Sequence, residues 1–227
     1  GWATRVVPNK YAALTPTRNG VSKTDGLYRT RTSRGRQEVI IDTPHHHQPL
    51  SQMPVAQVDA VLETYLRRYR AIRTADDDLI PILFRNHGAS AGASIPHPHS
   101  QLIAPSVRPP RIDREERAAQ SRYEELGACP YCVMVEHELE TEDRLVWTSD
   151  HFVVFVPFAA EVPYEMWVLP RKHQPEFGRL AAQARTDLAR ALRTVLRRLH
   201  QCLDDPDYNF FVRTALDYNA NQPHLHW

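Results

Sequence analysis

The segment Gly88-Ala89-Ser90-Ala91-Gly92-Ala93-Ser94-Ile95-Pro96-His97-Pro98-His99-Ser100-Gln101 sets two imidazoles two residues apart behind a glycine- and serine-rich loop. In an extended chain residues i and i+2 share a face, so His97 and His99 reach one site while Pro98 points away. Pro96 and Pro98 stiffen the approach. A neutral imidazole near pH 7 is a competent nucleophile toward phosphorus when its other ring nitrogen is held by an acceptor, usually a backbone carbonyl. His99 is the expected attacker. Backbone amides around Gly88 and Gly92, with the Ser90 and Ser94 hydroxyls, are expected to hold the oxygens that gain charge during transfer. The plain alternative is a core strand with a loop-capping histidine pair, and the loop composition argues against it.

Working outward, the 227 residues are enough for one large domain or two small ones. The 28 basic residues nearly balance 27 acidic ones, giving a net charge of +1. That balance argues against a nucleic-acid or membrane-surface protein and for a small anionic ligand. No apolar stretch approaches the roughly 20 residues of a membrane span, and no leader opens the chain, so a cytoplasmic protein is expected. Three cysteines, an odd count, fit a reducing compartment. The chain starts without methionine and stops inside an apolar run, so further sequence is expected on both sides.

Short strands are predicted at residues 3–7, 37–42, 80–85 and 97–104, with a helix between the second and third. In that helix Val55, Val58, Val61, Leu62, Tyr65, Leu66, Tyr69 and Ile72 recur at three and four. Residues 15–36, with Pro16, Gly20, Gly26 and Gly35, read as a long loop. A polar helix over 113–126 follows the prolines at 105, 109 and 110. Strands over 144–148, 152–157 and 165–169 come next, then a helix carrying Leu180, Ala184, Leu188, Leu192, Val195, Leu196 and Leu199. Last strands are expected at 209–213 and 224–227.

The halves read as a repeat. In each, a strand ends in proline with a histidine close behind, followed by a helix, a strand and a His-x-His strand. From His46 to His97 is 51 positions and from His173 to His226 is 53. The predicted fold class is α+β, with residues 1–110 and 111–227 each a mainly antiparallel sheet with a packed helix. Cys129-Pro130-Tyr131-Cys132, read as a hairpin, has the gap that lets two thiolates share one tetrahedral Zn²⁺. His173 and one of His224 or His226 would complete a closed, structural site. A redox dithiol is the competing reading, disfavoured because such pairs open a helix after a strand. His46 and His97 occupy the corresponding places in the first half, where no cysteine pair precedes them; repeat logic prefers His46 over His45 and His47. His87, His137, His151 and His200 are read as surface or structural, and Cys202 as a buried apolar residue.

These features resemble the galactose-1-phosphate uridylyltransferase family of the histidine-triad superfamily, including its ADP-glucose phosphorylase-like branch. The likeness runs over essentially the whole chain. It rests on Asn86, the loop Gly88 to Ser94, His97-Pro98-His99-Ser100-Gln101, Val156-Pro157-Phe158-Ala159-Ala160, Pro163-Tyr164-Glu165 and Leu169-Pro170-Arg171-Lys172-His173. The resemblance implies two histidine-triad-like repeats, a nucleotidylated His99, and His97 as a zinc ligand with His46. It puts Asn86, Ser90 and Gln101 on the phosphates and Asn9 with Lys10 near ribose and base. Cys129, Cys132, His173 and His226 become the second zinc set. The Ser100-Gln101 pair and the CxxC are shared with the phosphorylase-like branch. Where histidine-triad hydrolases carry a third imidazole able to pass a proton, Gln101 offers an amide, which favours transfer over hydrolysis.

The expected activity is a ping-pong transfer of a nucleoside monophosphate, UMP from UDP-glucose to galactose 1-phosphate, in a homodimer with structural zinc. An adenylyl phosphorylase using ADP-glucose and inorganic phosphate is the near alternative. A zinc hydrolase holding metal on His46, His97 and His99, and a zinc-stapled binding module without activity, are the others.

Overall fold

A computed structural model describes residues 1–16, 21–32, 34–216 and 222–227. Its main sheet has the order β1-β4-β6-β5-β10, built from β1 (Arg5–Pro8), β4 (Gly35–Ile41), β5 (Ile82–His87), β6 (His99–Pro105) and β10 (Tyr208–Phe211). A second sheet, β7-β8-β9, joins Leu145–Thr148, Phe152–Phe155 and Trp167–Pro170. All strand pairs in both sheets are antiparallel, and with four α-helices among the described residues the chain is α+β as expected.

Alternation along β6 sets the two faces. Ser100, Leu102 and Ala104 are buried with Leu83 of β5 and Ile40 of β4, under the apolar stripe of α1 (Val55–Ala75). His99, Gln101 and Ile103 take the opposite face. The long helix α4 (Ala182–Leu203) packs beside α1, where Arg185 donates to both carboxylate oxygens of Asp59 at 3.0 and 2.9 Å. Leucines and alanines of α4, Phe152 and Val154 of β8, and Trp227 enter the same core as α1.

The structure corrects four details of the sequence reading. Within residues 15–36, a two-stranded hairpin pairs β2 (Ser22–Asp25) with β3 (Tyr28–Arg31). Its two-residue loop puts Gly26 first with φ +57, the position where a type II′ turn needs glycine. All eight strand residues are exposed, so no apolar alternation marks them; residues 17–20 lie outside the described residues. The Cys129–Cys132 stretch is no hairpin: Cys129 caps α3 (Pro130–Thr141), with Pro130 as its first residue, after α2 (Pro110–Leu126). Residues 224–227 form no strand; Trp227 is buried instead, its indole donating to Gln174 Oε1 at 3.1 Å. The strand at 208–211 does not complete the second-half sheet but pairs with β5 of the first.

Candidate active site and metal centre

Register places the open-face residues in rows. Ile41 of β4 stands opposite His99 of β6, and Phe84 of β5 opposite Gln101. Continuing that register by two residues brings Asn86 across from His99, and Asn209 of β10 pairs with Asn86. His99, Asn86 and Asn209 therefore share one face of the sheet, with Gln101 one step along. Asn209 has no counterpart in the sequence reading because it arrives from the other half of the chain.

His99 is 6% exposed, and its Nδ1 lies 2.9 Å from the carbonyl oxygen of His97. A carbonyl only accepts, so Nδ1 carries the proton and Nε2 keeps its lone pair. Among the described residues Nε2 has no hydrogen-bond partner. The backbone of His99 is braced from behind by a buried cluster. Arg85, 2% exposed in its side chain, donates through Nη1 to the His99 carbonyl at 3.0 Å, to Ser100 Oγ at 3.3 Å and to Asp42. Ser100 Oγ donates to Asp42 at 3.1 Å, and the Tyr65 hydroxyl donates to Ser100 Oγ. Burial pushes the Asp42 carboxyl up, opposed by Arg85 and Ser100. The guanidinium stays protonated, and its contact favours the carboxylate form of Asp42 against that burial.

The loop after β5 is tied differently from the expected cradle. The amide and hydroxyl of Ser90 donate to Asp207 Oδ2 at 2.7 and 2.5 Å, so a carboxylate takes the donors read as phosphate ligands. These bonds hold the Asp207 carboxyl below its usual range. Gly88 is needed here for two reasons: its φ is +84, and a Cβ would lie 1.6 Å from Asp207 Oδ1. The amides of Gly92 and Ala93 turn inward to the carbonyls of Ala89 and Gly88. A Cβ on Gly92 would lie 3.2 Å from Asn86 Nδ2, so the loop rests on Asn86. Ser94 is exposed. Asn9 and Lys10 do not meet His99: the Asn9 amide donates to the Gln37 carbonyl, four residues from Ile41, about 13 Å along the strand.

His46 and His97 converge, with Nδ1 atoms 3.0 Å apart and His97 Nε2 bonded to the Thr43 carbonyl at 2.7 Å. Two imidazoles on one tetrahedral Zn²⁺ would stand about 3.3 Å apart. Those two residues fit half of a metal site. In the second half, the ligand atoms of Cys129, Cys132 and His173 all lie within 4.8 Å of one another. Cys132 Sγ is 3.4 Å from His173 Nδ1, against about 3.6 Å for a thiolate and an imidazole on one zinc. The His226 ring sits 5.7 Å from that of His173, and its Nε2 is buried with no partner among the described residues. An orphaned buried acceptor beside three converging ligands fits a fourth metal ligand. Nδ1 of His224 is also buried without a partner among the described residues, with the ring against Tyr123, 6.5 Å away. Without metal, burial and the neighbouring Cys129 push the Cys132 thiol up to about 12, and burial with His173 lowers His226 to about 4. Since Cys129 and Cys132 do open a helix, that ground against a redox pair falls; the approach of His173 carries the metal reading instead. His87, His151 and His200 make side-chain bonds to Asp205, Asp187 and Asp205. Cys202 is exposed, not buried.

No helix among the described residues is long and apolar enough to cross a membrane. The sequence model for the N-terminal domain of galactose-1-phosphate uridyl transferase matches residues 3–109, and that for the C-terminal domain matches 117–225. ADP-glucose phosphorylase of Arabidopsis thaliana is 33% identical over 231 residues, covering 100% of this chain and 64% of that protein. Galactose-1-phosphate uridylyltransferase of Thermotoga maritima is 32% identical over 197 residues, covering 86% of this chain and 61% of the relative. The chain thus spans less than two thirds of either relative. A solved uridylyltransferase structure superposes with a TM-score of 0.91 at 30% identity, covering 100% of this chain and 71% of the other. With the matched domains following the order of the two His-x-His halves, the chain belongs to the galactose-1-phosphate uridyl transferase family.

Proposed function

We propose that the protein transfers a nucleoside monophosphate, UMP from UDP-glucose to galactose 1-phosphate, through a covalent intermediate on His99. The observation that supports this most directly is the His99 ring itself: Nδ1–H fixed on the His97 carbonyl at 2.9 Å, and Nε2, on the open face of the sheet, without a hydrogen-bond partner among the described residues. In the first half-reaction the Nε2 lone pair forms a bond to the α-phosphorus, the bond to the hexose 1-phosphate oxygen breaks, and the hexose 1-phosphate leaves with that electron pair. The positive charge on the ring is stabilised by the His97 carbonyl. In the second, a phosphate oxygen of the acceptor attacks the same phosphorus and Nε2 is released. No proton need pass through Gln101, which is free to donate its amide to the nucleotidyl phosphate; Asn86 shares the same face, and the exposed Ser94 hydroxyl is a further candidate donor. Ser90 joins them only by exchanging Asp207 for phosphate.

Zinc, held by Cys129, Cys132, His173 and His226 and by the half-site His46 and His97, would brace the scaffold in place of a larger core. The reading includes two histidine-triad-like repeats meeting near residue 110, a homodimer, and a cytoplasmic setting in which the three cysteines stay free. A second reading, adenylyl transfer from ADP-glucose to inorganic phosphate, is favoured by the 33% identity across the whole chain to the Arabidopsis phosphorylase.

Incubating the full-length protein separately with UDP-glucose and ADP-glucose, then measuring intact and peptide masses, tests both. The adduct mass names the base. His99→Ala is expected to lose the adduct and keep its zinc; an adduct on another residue, or loss of metal in that variant, overturns the proposal.

A further inference from the structure

We propose that a cleft between the 3-10 turn Leu50–Gln52 and the C-terminal half of α4 binds a small phosphate-bearing anion, separately from the transfer site. The cleft has a volume of about 340 Å³ and is lined by Ser51, Gln52, Arg193, Arg197, His200 and Gln201. Its lining contains two guanidinium groups and no carboxylate. Arg193 uses Nε to donate to the Met53 carbonyl at 2.7 Å, and its terminal nitrogens have no partner among the described residues. Arg197 has no hydrogen bond or ion pair among them. Ser51 is 2% exposed, and its Oγ is buried without a partner among the described residues, an unmade hydrogen bond that an anion oxygen would satisfy.

The imidazole in the wall is already oriented. His200 Nδ1 donates to Asp205 Oδ1 at 2.8 Å, and its Nε2 accepts from Gln52 Nε2 at 2.9 Å. Asp205 is held in turn by His87 Nε2 at 3.1 Å. A concavity of this size, with guanidinium forks, a hydroxyl and amides converging on it, suits a phosphate monoester no larger than a hexose phosphate. α4 packs beside α1, and α1 lies on the sheet face opposite to His99, so this cleft is distinct from the proposed transfer site.

The test labels histidine rings of the full-length protein with carbon-13 and follows the His200 resonance, assigned with His200→Gln, as inorganic phosphate or glucose 1-phosphate is added. Saturable movement of that resonance is expected. Tighter binding of the sugar phosphate identifies an organic ligand, and equal binding identifies free phosphate. Arg197→Gln, at an exposed position, is expected to weaken binding about tenfold, and Ser51→Ala several-fold, with labelling of His99 unchanged in both. A His200 signal unmoved by either ligand, or equal binding by wild type and Arg197→Gln, overturns the proposal.

Discussion

Replacing Asp42 by Asn removes the negative member of an ion pair whose carboxylate is fully buried and whose guanidinium is 2% exposed. Asn is nearly isosteric, so packing survives, but Arg85 keeps its charge in a site with no other acid in contact. Of its remaining neighbours, the His99 carbonyl at 3.0 Å, Ser100 Oγ at 3.3 Å and the Tyr208 phenol are neutral, and Arg85 Nε has no hydrogen-bond partner among the described residues. Stranding a buried charge in this way costs about 3–5 kcal/mol. For a chain of this length, each kcal/mol lowers Tm by about 2–4 °C, so a fall of about 6–20 °C is expected. Thermal and urea unfolding of the full-length protein, followed by circular dichroism, measures it. Asp42→Leu combined with Arg85→Met should recover most of the loss, because an apolar pair of similar volume replaces the ions without leaving one behind. A loss under about 1 kcal/mol in Asp42→Asn, or a double variant worse than the single, refutes the role given to this pair.

Three further outcomes follow from the same geometry. Chelation of the metal-loaded protein should lower stability and Cys132→Ser should abolish the response; zinc added back should release protons, since the Cys132 thiol is pushed up to about 12 without metal. In metal-free protein, His226 titrates near 4 in the fold against about 6.5 unfolded, so the unfolded chain binds the extra proton between those values. Stability is then full above about pH 6.5 and falls by up to about 3 kcal/mol toward pH 4, which denaturant titrations at several pH values will show; the variant His226→Gln should flatten that slope. Gly88→Ala should destabilise by more than about 1 kcal/mol, through both its positive φ and the collision with Asp207. Adding Asp207→Ala should recover the collision part alone, read by thermal melts.

How much could be read in advance depended on whether the signal was local. The stripe of α1 and the alternation in β4 and β6 are visible because apolar residues repeat with the period of the element that buries them. The carbonyl on His99 Nδ1 was foreseeable from the chemistry of a nucleophilic imidazole. Asp42 and Arg85 were legible in part: each falls on the parity of a buried neighbour, Ile40 and Leu83, where a lone charge demands an opposite one. Pro130 at the first position of α3 is a helix-start signal that the short Cys-x-x-Cys gap masks. Asp207 was not legible at all. It meets Ser90 from 117 residues away, and nothing in either segment announces the other. The hairpin β2–β3 was hidden by full exposure, its only mark being Asp25-Gly26.

The pairing of Tyr208 with His87 has a consequence for synthesis. On the ribosome β5 emerges about 120 residues before the strand that covers its edge. At about 5–20 residues per second the nascent chain carries that unpaired flank for roughly 6–25 s. Throughout that interval the row of free amides and carbonyls is open to any passing extended segment, including the same strand of a neighbouring polysome product. The exposure ends only when residue 211 appears and β10 closes the edge.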